Sequence, residues 1–254
     1  MAAILNVIGG IDDAIANKID KSSKSGFKLL GYTFSWLTLI NEAALERLGG
    51  LGAYLKAAKG ATSLWYPLDT FVKANKFRHV ISGPLETRTD ARTGRVTTAL
   101  EKVSMATLDL FIPLCDAARV FHDFSVWNLD KVAPFFSSFS LKQLFGTVGS
   151  MSLAIRFAVR SSDSWNLINT INREIETHNI ESPKTIPQLE NERTKTYCEL
   201  AGRITLVALG IILAAASITG VFYWPPVLVC ASISLLSDFA AQYFKDREAI
   251  LVPA

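Results

Sequence analysis

RITLVALGIILAAASITGVFYWPPVLVCASISLLSD, running from Arg203 to Asp238, carries charge only at its two ends. Wound as one helix it would be about 51 Å long, against a hydrocarbon core of roughly 30 Å. Tyr223-Trp224-Pro225-Pro226 near its middle resolves the excess. Prolines lack N–H donors and suit a turn, while Tyr223 and Trp224 suit the headgroup boundary. The stretch therefore predicts a membrane hairpin of two spans, Ile204 to Phe222 and Val227 to Phe244, each about 27 to 29 Å long. The competing reading is a pair of buried core helices in a soluble protein, as in soluble pore-forming toxins before they insert.

Asp238 is the one ionisable group inside the hydrophobic region. A carboxylate at the bilayer centre costs about 2.5 to 3.5 kcal/mol. Either Asp238 serves an ion path or a partner helix, or the second span stops at Ser237 and leaves Asp238 among the headgroups. Lys184, Arg193, Lys195 and Arg203 precede the hairpin, Lys245 and Arg247 follow it, and its turn is uncharged. The positive-inside rule then places both termini in the cytosol, on a multi-pass protein.

The 254 residues allow one domain beside the hairpin. Half of them are apolar, enough for a core, and the net charge of +3 is too small to argue for nucleic acid. Cys115, Cys198 and Cys230 are odd in number and far apart, which suggests neither a disulfide framework nor a metal site, and a reducing compartment is the simpler setting. Met1 to Ile11 has no basic lead, so no secretory signal is expected there. The expected organisation is a cytosol-facing helical body over 1–188, a connecting helix over 189–203, the transmembrane hairpin over 204–244 and a short tail over 245–254.

Helical periodicity dominates, no stretch shows sustained two-residue alternation, and the expected fold class is all-α. Lys18, Lys21, Lys24 and Lys28 lead into an apolar segment containing Phe34 and Trp36. That segment is too short to span a membrane, so it is either a buried helix or one lying in the membrane interface, where anionic headgroups would attract the lysines. Gly49, Ala53, Ala57 and Ala61 recur at four-residue spacing, which on a helix makes a small-residue stripe for close packing; Gly49-Gly50-Leu51-Gly52 reads equally well as a turn. Pro67 suits the first turn of a helix that Gly83-Pro84 closes. Glu86 to Arg95 reads as a solvated loop. A long helix from about Val96 puts Val96, Leu100, Val103, Leu110, Leu114, Ala117 and Phe121 on one face, with a kink at Pro113. Another puts Val148, Met151, Ile155, Ala158, Trp165, Ile168 and Ile175 on one face, and Ile180 to Gln188 reads as a hinge.

Enzymatic chemistry finds little support. His79, His122 and His178 show no metal-ligand spacing, and phosphate-loop, dinucleotide and nucleophile-elbow motifs are absent. Cys115 and His122 share a helix face, but residues two turns apart lie about 10 Å apart, beyond hydrogen-bond reach.

The paired spans around Tyr223-Trp224-Pro225-Pro226 resemble the bilobed hydrophobic hairpin of chlamydial inclusion membrane proteins. That resemblance implies display on a host vacuole membrane with both ends in host cytosol. The basic helix from Lys28 to Ile40, the aromatic stretch from Val120 to Leu129, the long helix after it and the final stretch from Arg203 to Phe244 are also similar to peroxisomal membrane-elongation peroxins, which implies an all-helical, non-enzymatic protein that deforms bilayers. The expected function is thus that of a membrane protein, without catalytic residue, metal or cofactor, acting by protein interaction or membrane shaping at a vacuole or organelle membrane. The lipid bilayer is the expected partner, with a protein partner or a second copy beside it. A pore using the hairpin, with Asp238 in its path, is the alternative.

Overall fold

A computed structural model describes residues 65–123, 125–131, 139–178, 184–221 and 223–250. The basic interfacial candidates Lys18, Lys21, Lys24, Lys28, Phe34 and Trp36 and the stripe Gly49, Ala53, Ala57 and Ala61 lie outside the described residues. Five helices account for most of the rest: α1 (Trp65–Ser82), α2 (Ala99–Asp123), α3 (Leu141–Glu176), α4 (Ile186–Thr219) and α5 (Trp224–Ile250). The class is all-α, with a C-terminal hairpin of two long apolar helices. Each helix packs mainly on its neighbours in the chain, α3 against α4 most extensively.

Local signals explain the helix boundaries. Pro67 falls in the first turn of α1, where a missing N–H costs nothing. Ser140 caps α3 through a reciprocal pair, its hydroxyl accepting from Gln143 N at 3.2 Å while Gln143 Oε1 accepts from Ser140 N at 2.9 Å. Thr185 begins α4 with its N–H donated to Gln188 Oε1 at 2.8 Å, so the expected hinge already turns helical at Ile186. The connecting helix expected before the hairpin is continuous with the first span, because nothing between Leu189 and Arg203 breaks a helix.

The hairpin turn is displaced from its expected position. Gly220, at φ 72°, ends α4 by donating its N–H to Ala216 O at 2.9 Å, a left-handed cap that glycine adopts without steric cost. Pro225 and Pro226 are not in the turn but in the first turn of α5, which begins at Trp224. Their ring-fixed φ suits a helix start and their absent N–H groups would have been unpaired there anyway.

Two expected apolar faces are reversed or broken. On α3, Met151, Ile155, Ala158 and Trp165 are exposed, whereas Gly146, Gly149, Ser150, Ser152, Ala154, Ser164, Ile168 and Ile171 are buried. On α2, Leu100 and Leu114 are exposed while Pro113, Cys115, Ala117, Ala118 and Val120 are buried; Val96 lies outside the helix, on a strand. Small residues won the interior because they let helix axes approach closely. Between α1 and α2, where a loop was expected, Arg88–Thr89 pairs antiparallel with Val96–Thr97 as β1 and β2. The pairing is closed by Asp90, whose Oδ1 accepts from the N–H groups of Arg92 and Thr93 at 3.0 and 2.8 Å.

Candidate membrane-contacting site

Glycine and serine set the spacing of α3, α4 and α5. A β-carbon on Gly146 would lie 3.0 Å from Ser217 Cβ, and one on Gly202 would lie 3.0 Å from Ser237 Cβ. On Gly210 it would meet Ser150 O at 2.7 Å. These contacts run along α3 and α4 in antiparallel register and continue across α4 to α5, where Asn191 Nδ2 donates to Phe244 O at 2.8 Å. Two hydroxyls along α4 are satisfied within the helix: Ser217 and Thr196 donate to Leu213 O and Glu192 O, each at 2.8 Å.

A belt of charge crosses four helices at one level. Asp109 on α2 contacts Arg156 Nε on α3 and lies 3.6 Å from Arg160. The Arg160 carbonyl accepts from Arg203 on α4 at 2.9 Å, and Arg203 also bonds Ser164 Oγ and Glu199 at 2.9 Å. Asp238 on α5 acts electrostatically on the same guanidinium. The two charged ends of the apolar run thus come together at the base of the hairpin, because antiparallel packing puts Gly202 against Ser237. Asp238 is exposed there.

To one side of the belt, α3 is uncharged from Gln143 to Ile155, α4 from Ile204 to Thr219 and α5 from Trp224 to Ser237. At about 1.5 Å per residue, the uncharged helical stretches are roughly 20 to 24 Å long on the three. Large apolar side chains point outward from it: Met151 and Ile155 on α3, Ile204, Ile211 and Ile218 on α4, Val229, Ile233 and Leu236 on α5. Only 22% of the most apolar stretch of α4 and 28% of that of α5 are buried. On the other flank, α1 carries Asp69 and α2 carries Asp116 and Arg119 at this depth, so the uncharged layer belongs to the hairpin and the half of α3 beside it.

On the opposite side of the belt the contacts are ionic. Arg92, from the turn between β1 and β2, donates to Glu174 at 2.8 and 2.6 Å and to Glu192 at 2.7 and 3.0 Å. Lys184 adds a bond to Glu192 at 2.8 Å. Burial pushes the Glu192 carboxyl up, but the bonds from Arg92 and Lys184 outweigh it and hold it down at about 2. The Arg92 bond lowers Glu174 as well. Arg95 bridges Glu101 on α2 and Asp163 on α3. Composition alone could not reveal these bridges, since Arg92 lies among residues that read as solvated loop.

Among the described residues, no three His, Cys, Asp or Glu side chains gather as metal ligands. Cys115 is buried against Gly149, while His122 takes the Leu129 N–H at 3.3 Å where the chain leaves α2. The two residues that share a sequence face therefore have separate structural employment. Comparisons with protein-family models, with curated proteins and with solved structures found no match.

Proposed function

We propose that this chain is a non-enzymatic integral membrane protein that acts by protein interaction or membrane shaping, anchored by α4 and α5. The observation that carries the reading is the common uncharged layer on three helices, with glycine and serine inside and large apolar side chains outside. In water that arrangement leaves the hydrophobic effect unused, whereas against acyl chains it costs nothing and the small residues supply the packing. Both charged ends of the apolar run lie on the belt side, so the belt and the ionic half of the molecule face the cytosol. The resemblance to inclusion membrane proteins and membrane-elongation peroxins makes a vacuole or organelle membrane the proposed location.

A layer roughly 20 to 24 Å deep is thinner than the roughly 30 Å hydrocarbon core. Lipid around such an anchor thins, or the helices associate with further copies, and either response deforms the bilayer locally. Thinning links the anchor to membrane shaping without requiring a catalytic group. Alkaline carbonate extraction of membranes carrying the full-length protein tests the anchor. Retention in the pellet is expected, and release into the supernatant would end the proposal.

A further inference from the structure

A cleft of about 490 Å³ opens between α1 and α2. Lys73, Lys76 and His79 line it from one side of α1 and Lys102 from α2, over a floor that includes Phe77 and Met105. Lys102 Nζ is oriented by a bond to Glu86 O at 2.5 Å. The carboxylate on the cleft wall, Asp109, is engaged by Arg156 and Arg160, so its charge is answered from behind and the opening is left cationic. Through Arg160 the same Asp109 connects to Arg203, where the charge-free run begins. The cleft therefore lies in the layer of the belt, at headgroup depth once the hairpin is inserted.

We propose that this cleft binds the phosphate-bearing headgroup of an anionic phospholipid, with the start of its acyl chains against Phe77 and Met105. Lys76 and Lys102 beside an apolar floor match that chemistry: the ammonium groups meet the phosphate as point charges, and the apolar residues shield them from competing water. A neutral zwitterionic lipid brings its own cation and gains nothing from the lysines. The inference rests on the membrane reading for the lipid source, while binding itself can be read without insertion.

Native mass spectrometry of the full-length protein in detergent micelles, with phosphatidylglycerol or phosphatidylcholine added, provides the test. A retained phosphatidylglycerol and no retained phosphatidylcholine are expected, with roughly thirtyfold weaker retention in Lys76→Gln/Lys102→Gln. Lys142→Gln, at the other end of the bundle, should behave as wild type. Rising salt should weaken the wild-type adduct whether or not the double variant folds. Equal retention of both lipids, a salt-independent adduct, or complete displacement by inorganic phosphate at equal concentration would overturn the proposal, the last by making the cleft a general anion site. Carbonate extraction of the wild type separates the two ideas: a pelleted wild type that retains no phosphatidylglycerol refutes the cleft alone, and an extracted wild type that still retains it refutes the anchor alone.

Discussion

A β-carbon on Gly210 would lie 2.9 Å from the Cβ of Ala154, so the first hairpin helix and α3 meet where neither has room for a larger side chain. The hairpin is therefore packed along the helical body and not merely tethered to it. Gly210→Ala would press equally on Ser150 O and Ala154 N, which are backbone atoms and cannot rotate away. The expected cost is about 1 to 3 kcal/mol, visible as a lower thermal midpoint in detergent. Gly149→Ala, against Cys115 Cβ at 2.8 Å, should act similarly at the α2 contact. An unchanged midpoint for both variants would mean that the α2–α3–α4 packing is wrong.

The native cysteines report depth. Cys198 lies on the ionic side of the belt, and Cys230 lies within the uncharged layer, both partly exposed in the bare protein. Thiolate is the reactive form, and acyl chains suppress ionisation. In proteoliposomes a polar maleimide should label the variant that keeps only Cys198 and spare the variant that keeps only Cys230, until detergent is added. Equal labelling of the two without detergent would refute the embedded hairpin.

Acid stability should depend on Arg92. Glu192 is held down at about 2 from an ordinary 4.5, a depressed carboxylate. Its contribution is present above the unfolded value and is lost as pH falls through the folded value, in a window from about 4.5 to about 2. Glu174, also lowered, adds in the same direction. Arg92 keeps 32% of its side chain in solvent, so Arg92→Gln should cost roughly 1 to 2 kcal/mol near neutral pH, less than a fully buried pair. The variant's loss of helix in an acid titration should begin at higher pH than wild type. Coincident acid profiles would show that the Arg92 bridges do not form in solution.

Asp238 decides between anchor and pore. Beside Arg203 at the hairpin base it is placed to balance charge, and Asp238→Asn should leave carbonate resistance intact. A conducting pore that used Asp238 would lose cation preference in that variant, as the only charged side chain between Ile204 and Phe244 would be gone. Planar bilayer recordings of wild type should show no unitary currents. Cation-selective openings that Asp238→Asn abolishes would favour the pore.

Sequence alone determined the all-α class, the paired apolar helices from Arg203 to Asp238, the helix opened by Pro67, and the absence of familiar catalytic motifs. Those are properties of local periodicity, length and missing charge, and neighbours in space do not alter them. Tertiary structure decided what periodicity could not: that Gly146, Gly149 and Ser164 face inward while Met151, Ile155 and Trp165 face out. Pattern reading gives the interior to the large apolar residues, whereas here small ones fill much of it because they let the helix axes approach closely. Tertiary structure also decided that Arg92 joins Glu174 and Glu192, across 82 and 100 residues of chain, and that Arg203 and Asp238 come to the same end of the hairpin. Such pairs depend on the antiparallel register of whole helices, and the register is set by where glycine and serine allow two backbones to approach.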